Sequence, residues 1–404
     1  SFNRCLGTHR HKEIVMASVV DYENIRGALW EKRDFSWFGS DAEYGLNFLL
    51  EELERIPLRP HDLAKFTDLY ASPHADMPVR IGNKECGMIW RNPVGISAGF
   101  TKDGRGSVTL IRGACIGSLE LGTVPFLDQP GNPEPRFFTH QDAITGAFST
   151  TNRFGFNSQG IMPLAYHLWD IRHERDGDAV RTPIIVSIGP NKIAVEKYEE
   201  DRDLDALIAH LMRAFSVILP VLQPGDALQV NISSPNTAGL RNLLNRVYDF
   251  LSRLVDKIRT LALLCDLPEP IVILKLSPDM ENDDLRRAVS VAAMCGIPIL
   301  EAFNTTVDAG IKARYGITEA GGVGGDPLRE LAKQKLRVVM DEIDKRSLDM
   351  DVIAVGGITE PEHALARLDM HPRVKAIHIN SGIYKKGFSL IKDTLAAIHA
   401  AHAV

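Results

Sequence analysis

Cysteine is sparse in this 404-residue chain, and its placement excludes more than its number does. The five residues, Cys5, Cys86, Cys115, Cys265 and Cys295, are scattered, and no pair has CxxC spacing. A zinc knuckle or iron–sulfur centre held by this chain alone is therefore not expected. An odd, dispersed set fits a reducing compartment. HExxH motifs and Cys/His clusters are also missing, so no metal is expected. Positive charge is not in excess: 46 Lys and Arg against 52 Asp and Glu leave a net charge of −6. Such a chain has no global attraction to nucleic acid or to an anionic membrane, and nucleic acid is not an expected partner. No run approaches the ~18 consecutive apolar residues of a membrane-crossing helix.

What is present is an ordinary globular balance, 45% hydrophobic and 24% charged, with 32 Gly and 22 Pro. Collagen, coiled coil and wholesale disorder are poor descriptions of it. The length suits two or three domains, or one large α/β barrel with an appendage. Residues 1–80 read apart from the rest. Their start is basic (Arg4, His9, Arg10, His11, Lys12), a hint of targeting. Val19–Trp30 is a short helix candidate. Ala42–Ile56 carries apolar residues at helical spacing (Tyr44, Phe48, Leu49, Leu53), and Pro57 and Pro60 are expected to break that pattern. The helical region is either a cap on a core or a pair whose apolar face meets a membrane or lipophilic ligand.

From residue 81 short β-rich runs alternate with helical stretches. Strands are expected at Val94–Ala98, Ser118–Thr123, Pro183–Ile188, Ala227–Ile232, Ile271–Leu276, Ile297–Phe303, Asp351–Val355 and Lys375–Ile379. The clearest helices are Ala206–Leu219, Leu243–Leu263, Asp284–Ala293 (capped by Asn282 or Asp283), Pro327–Ile343, Pro361–Leu368 and Phe388–Ala400. Eight strands, each followed by a crossover, point to an α/β protein built on a (β/α)8 TIM barrel. Several are continuous apolar runs, as a buried parallel sheet requires. An open doubly wound sheet is the alternative, but no GxGxxG follows the first strand. Pro125–Arg153 and Asn236–Leu244 are longer than connections need to be and are expected over the barrel mouth, where active sites sit.

Polar residues gather at the strand ends. Lys275 stands inside the fifth apolar strand, between Leu274 and Leu276. It either points outward to a carboxylate or points inward to a polar ligand. Asn157, Asn231, Asn236 and Asn304 offer uncharged amides near the expected mouth loops, for turns or for a planar polar heterocycle. Gly321–Gly325, Gly356-Gly357 and Ser381-Gly382 fall at the last βα connections. They serve either as turns or as a grip of free amides on a phosphate.

At these positions the chain resembles the dihydroorotate dehydrogenases, class 2, the quinone-linked form, over roughly residues 85–390. The stretches that carry the resemblance are Asn92–Gly95 through Gly99-Phe100, Pro130–Pro133, Asn152–Ser158, Asn231–Arg241, Leu274–Asp279, Asn304–Thr306 and Val355–Ile358. The resemblance implies an FMN-containing (β/α)8 barrel, residues 81–404, that oxidises dihydroorotate to orotate in pyrimidine synthesis. It also implies an N-terminal helical region, residues 1–80, facing a membrane and its quinone. By the same resemblance Ser234 is the base that removes the C5 proton, where class 1 members use cysteine, with Phe156 and Thr237 around it. Lys102 stands between flavin and substrate, and Lys275 near the flavin pyrimidine. The substrate is held by Lys102, Asn157, Asn231, Asn236, Asn304 and Thr305. The flavin is held by Ala98, Gly99, Thr123, Asn152, Asn231, Lys275, Gly325, Gly357, Asn380 and Ser381. A monomer on the mitochondrial inner membrane is expected, or on the cytoplasmic membrane in a bacterium.

The chain departs from the family pattern at several points. Thr101 replaces Asp, and Ser187 replaces a site Asn. Phe303 replaces Thr beside the flavin, where it is expected to crowd the ring. Gly324 replaces Ser, Asn380-Ser381 replaces Tyr-Thr, Thr139 replaces a quinone-side Arg, and a few residues are added around Gly146–Thr151. These departures leave two other readings: a barrel that binds or regulates without catalysis, and a flavin enzyme with another dihydropyrimidine or acceptor.

Overall fold

The computed structural model describes residues 42–57, 60–173, 182–233 and 246–402. The helix expected at Val19–Trp30, the base candidate Ser234, its neighbour Thr237, Asn236 and the loop to Leu244 lie outside these residues.

Eight parallel strands close into one barrel, each paired with its neighbours in chain order. They are β1 (Val94–Ile96), β2 (Leu119–Val124), β3 (Ile184–Ile188), β4 (Ala227–Val230), β5 (Ile271–Leu276), β6 (Ile299–Ala302), β7 (Asp351–Val355) and β8 (Val374–Ile379). All eight coincide with the expected strands to within two residues at most ends. Continuous apolar sequence is what such strands need, because one face meets the helices and the other the barrel interior.

The twofold alternation of a strand sorts these faces. Leu228, Val230, Val272, Leu274, Leu300, Val352, Ala354 and Ile377 pack outward with the helices in the main core. Ile185, Ala227, Ile271, Ile273, Ile299, Ile353 and Ala376 form a separate apolar layer inside. One step further along the strands the inward positions become polar: Glu120, Ser187, Gln229, Lys275, Glu301 and His378. An antiparallel hairpin, Val79–Gly82 with Gly87–Trp90, closes the opposite end of the barrel. Its Ile81, Met88 and Trp90 are buried against the inner apolar layer, and the Gly82 amide donates to Asp351 Oδ2 at 2.9 Å.

Among the described residues two helices precede the barrel, α1 (Ala42–Arg55) and α2 (Pro60–Tyr70). Leu46, Leu49, Leu50 and Leu53 form the apolar stripe of α1 and join the main core. Close seating of α1 demands glycine at 106: a Cβ there would stand 2.6 Å from Leu53 Cβ, and its φ is +74°. The α1 pattern ends at Arg55, ahead of Pro57 and Pro60 as expected, and Pro60 opens a second helix that was not among those expected. At the first position a proline loses nothing, since that amide has no partner within the helix.

Two expectations change. The helix expected from Asp284 runs Asn282–Met294 with Glu281 at its cap position, so Asn282 and Asp283 lie inside the first turn. There Asp283 still favours the positive end of the helix dipole. Gly322–Gly325 is not a loop but a strand, antiparallel to Phe148–Asn152, which pairs in turn with Phe137–Gln141. This three-stranded sheet accounts for much of Pro125–Arg153. One described stretch, Leu204–Val221, is apolar and long enough to cross a membrane, but its Leu207, Ile208, Leu211, Phe215 and Ile218 are packed in the core.

Candidate active site

A cleft opens at the carboxyl ends of the strands and encloses about 1010 Å³, its open mouth included. It gathers Ala98, Gly99, Lys102, Thr123, Asn152, Asn231, Lys275, Asn304, Thr305, Gly325, Gly357, Asn380 and Ser381 from nine separate parts of the chain. Asn157 stands next door, in a recess between α1 and the mouth that shares Gly99, Lys102 and Phe154 with the cleft. Ser234 and Asn236 are outside the described residues.

The floor is a buried charge cluster. Lys275 Nζ lies 3.0 Å from Glu120 Oε1 and 3.2 Å from Glu301 Oε1. Glu301 faces Lys275 because the two are register partners on β6 and β5. His378 Nδ1 lies 3.3 Å from Glu301 and 3.5 Å from Glu120; its Nε2 bonds to Ser118 Oγ at 2.8 Å. Burial alone would strip the charge from Lys275, but Glu120 and Glu301 outweigh it and raise its pKa. Burial opposes ionisation of Glu120 as well, and Lys275 and His378 reverse it, holding the carboxyl low. Glu120, Glu301 and His378 bring donor atoms within 4.8 Å of one another, close enough for a metal ion. The Lys275 ammonium already supplies a cation to both carboxylates.

Above this floor runs an uncharged hydrogen-bond chain. Asn231 donates to Thr123 Oγ1 at 2.7 Å and accepts from Ser233 Oγ at 3.0 Å. Asn304 donates to that same Ser233 hydroxyl at 3.1 Å and holds the Thr305 amide at 2.8 Å. Ser187 bonds to Thr123 and Gln229 at 3.0 and 2.7 Å, while Gln229 donates to Glu301. The amide carbonyls and hydroxyls thus have fixed directions before any ligand enters.

Lys102 stands at the wall. Its Nζ donates to Asn157 Oδ1 and lies 3.6 Å from the Phe154 ring centroid. Burial holds its pKa down to about 7; Glu43 opposes and Arg136 adds to that effect. Glu43, on α1, grips Arg136 with contacts of 2.7 and 3.0 Å and accepts from Asn157 Nδ2 at 3.0 Å. The helical region therefore reaches the site through one carboxylate.

At the opposite wall Thr150 and Ser381 share a hydrogen bond of 2.7 Å. A Cβ on Gly324 would stand 2.6 Å from Ser381 Oγ, which explains why a side chain is missing there. Phe303 lines the cleft but is only 1% exposed and belongs to the main core. Thr101 is buried and donates to the Arg105 carbonyl at 2.9 Å, a local structural tie. Thr139 is exposed on its strand, and the buried cation of this region is Arg136.

Sequence reasoning missed Glu120, Glu301, His378, Ser233, Glu43 and Arg136. Glu120 and Glu301 carried a usable signal, the one that marks Lys275: a lone ionisable residue in an apolar strand.

The comparisons with known proteins bear on this arrangement. The dihydroorotate dehydrogenase family model matches residues 81–400. A dihydroorotate dehydrogenase (quinone) of Halorhodospira halophila is 33% identical over 322 residues, 78% of this chain and 85% of the relative. One from Shewanella amazonensis is 31% identical over 367 residues, 90% of this chain and 97% of the relative. Among solved structures, Eimeria tenella DHODH in complex with ferulenol superposes with a TM-score of 0.69 at 22% identity, covering 89% of this chain and 91% of that one. The last likeness concerns the fold alone. This chain belongs to the dihydroorotate dehydrogenase family, and its relatives are of the quinone-dependent class.

Proposed function

We propose that this chain oxidises (S)-dihydroorotate to orotate, with FMN as hydride acceptor and a membrane quinone as final oxidant, in the synthesis of UMP. The observation that carries the reading is the convergence of Lys102, Lys275 and the Asn231–Ser233–Asn304 chain on one barrel-mouth cleft. Two lysines and a set of oriented amides suit a planar, anionic pyrimidine against a polar cofactor.

The residues fit FMN. At one end Lys275, Thr123 and Asn231 offer a charge and fixed polar groups to a heterocycle. At the other, backbone replaces side chains: a Cβ on Gly325 would stand 2.4 Å from the Phe148 carbonyl oxygen, and one on Gly357 2.3 Å from Arg329 Cα. Bare backbone beside the Thr150–Ser381 hydroxyl pair suits a phosphate. Phe303 both lines the cleft and packs in the main core, so the crowding expected of it bears on how the flavin seats at that wall. FMN, when bound, supplies the hydride acceptor.

The protein's own groups do the rest. Ser234 takes the C5 proton, a role that needs activation because a hydroxyl is a weak base at its free pKa. Lys102 pairs with the substrate carboxylate, and Asn157 orients Lys102. Asn231, Asn236, Asn304 and Thr305 bond to the ring's polar edge. Lys275 stabilises the charge that hydride transfer brings. The acceptor quinone places the protein at a membrane surface, bound peripherally as a monomer, through residues 1–80; the compartment is the mitochondrial inner membrane or its bacterial counterpart. The test is turnover. FMN-loaded protein given dihydroorotate and a short-chain quinone should form orotate, read by its ultraviolet absorbance. Bound FMN with no orotate formed would contradict the reading.

A further inference from the structure

Four ionisable groups from four different strands meet behind the cleft floor: Glu120 on β2, Lys275 on β5, Glu301 on β6 and His378 on β8. None is more than 5% exposed. Lys275 and His378 reach the cleft, while the two carboxylates lie behind them. Each carboxylate is also held by an uncharged donor, the Ala98 amide on Glu120 at 2.8 Å and the Gln229 side chain on Glu301. Two carboxylates and one ammonium would leave a buried net negative charge, which is costly in a dry interior. An imidazolium between the carboxylates cancels it. Burial pulls the His378 pKa down, but its hydrogen bonds to Glu120 and Glu301 outweigh that and raise it.

We propose that Glu301 and His378 are positioning residues that set the net charge Lys275 presents to the cleft, and through it the reduction potential of the flavin. The inference rests on the FMN reading above. Hydride transfer carries one negative charge into the cleft, and the Lys275 ammonium favours it. Glu301, 3.2 Å from that ammonium, opposes it by Coulomb repulsion; His378 supports it. The two residues therefore act with opposite signs. No established role in proton removal or substrate contact is needed for either.

The experiment measures the midpoint potential of the FMN holoenzyme by dye equilibration, for the wild type, Glu301→Gln and His378→Gln, with melting temperatures alongside. Glu301→Gln should tighten reduced FMN relative to oxidised FMN about tenfold, a rise of about 30 mV for a two-electron couple. His378→Gln should lower the potential by a similar amount. Simple loosening of the barrel would move both variants the same way, so shifts of one sign overturn the inference, as does FMN binding with no shift. Should one variant fail to fold, the sign of the other still decides. Failure of the wild type to bind FMN overturns the proposed function, and this inference with it.

Discussion

In the proposed reading Lys102 is the cation that meets the substrate carboxylate. Burial holds its pKa to about 7, so the ammonium is present below that pH and lost above it. Orotate, monitored through its perturbation of the flavin spectrum, should therefore bind more weakly by about tenfold per pH unit above pH 7. Lys102→Met should bind weakly at every pH, with no such slope. A wild-type affinity flat from pH 6 to 9 would remove Lys102 from carboxylate binding. Ser234 is tested by a different separation: Ser234→Ala should keep FMN yet slow flavin reduction by dihydroorotate roughly a hundredfold or more. An unchanged rate would exclude it as the base. Single residues were legible where one position carries the signal, as Lys275 does. Glu301 and His378 gave no comparable hint of partnership, because 77 residues separate them and only closure of the barrel brings them together.

The elements were more legible than the contacts between them. Apolar runs of strand length identified all eight barrel strands, and helical periodicity placed α1. Two misreadings share a cause: local rules were applied without their tertiary setting. Pro60 does break the α1 pattern, but read only as a breaker it hid the helix that it opens. Gly322–Gly325 reads as a loop until Phe148–Asn152 lies beside it to complete a ladder. Glycine is tolerated in that strand because side chains would strike Ser381 and the Phe148 backbone. The docking of α1 is directly testable. Leu53 is fully buried over Gly106, so Leu53→Ala should cost about 3 kcal/mol in urea unfolding. A loss below about 1 kcal/mol would mean that α1 adds little to the stability of the barrel.

At the scale of the whole molecule, the barrel is sealed at one end and reactive at the other. The hairpin carrying Trp90 closes the far end, with Trp90 fully buried and stacked 5.2 Å from the His378 ring. Trp90→Ala should cost about 3–5 kcal/mol, measured as a fall in the urea midpoint, and unchanged stability would show that the hairpin is dispensable. The site opposite was legible as a place, because polar residues gathered at strand ends from Lys102 to Ser381 and glycines at the last connections. Its chemistry came from family resemblance, and its electrostatics only from the structure, since burial and ion pairing are properties of the closed barrel. The central claim is that this cleft takes electrons from dihydroorotate through bound FMN. The most direct measurement is the visible absorption spectrum of the FMN-loaded protein before and after anaerobic addition of dihydroorotate. Bleaching of the flavin band is the predicted result; a bound flavin that stays oxidised would contradict the claim.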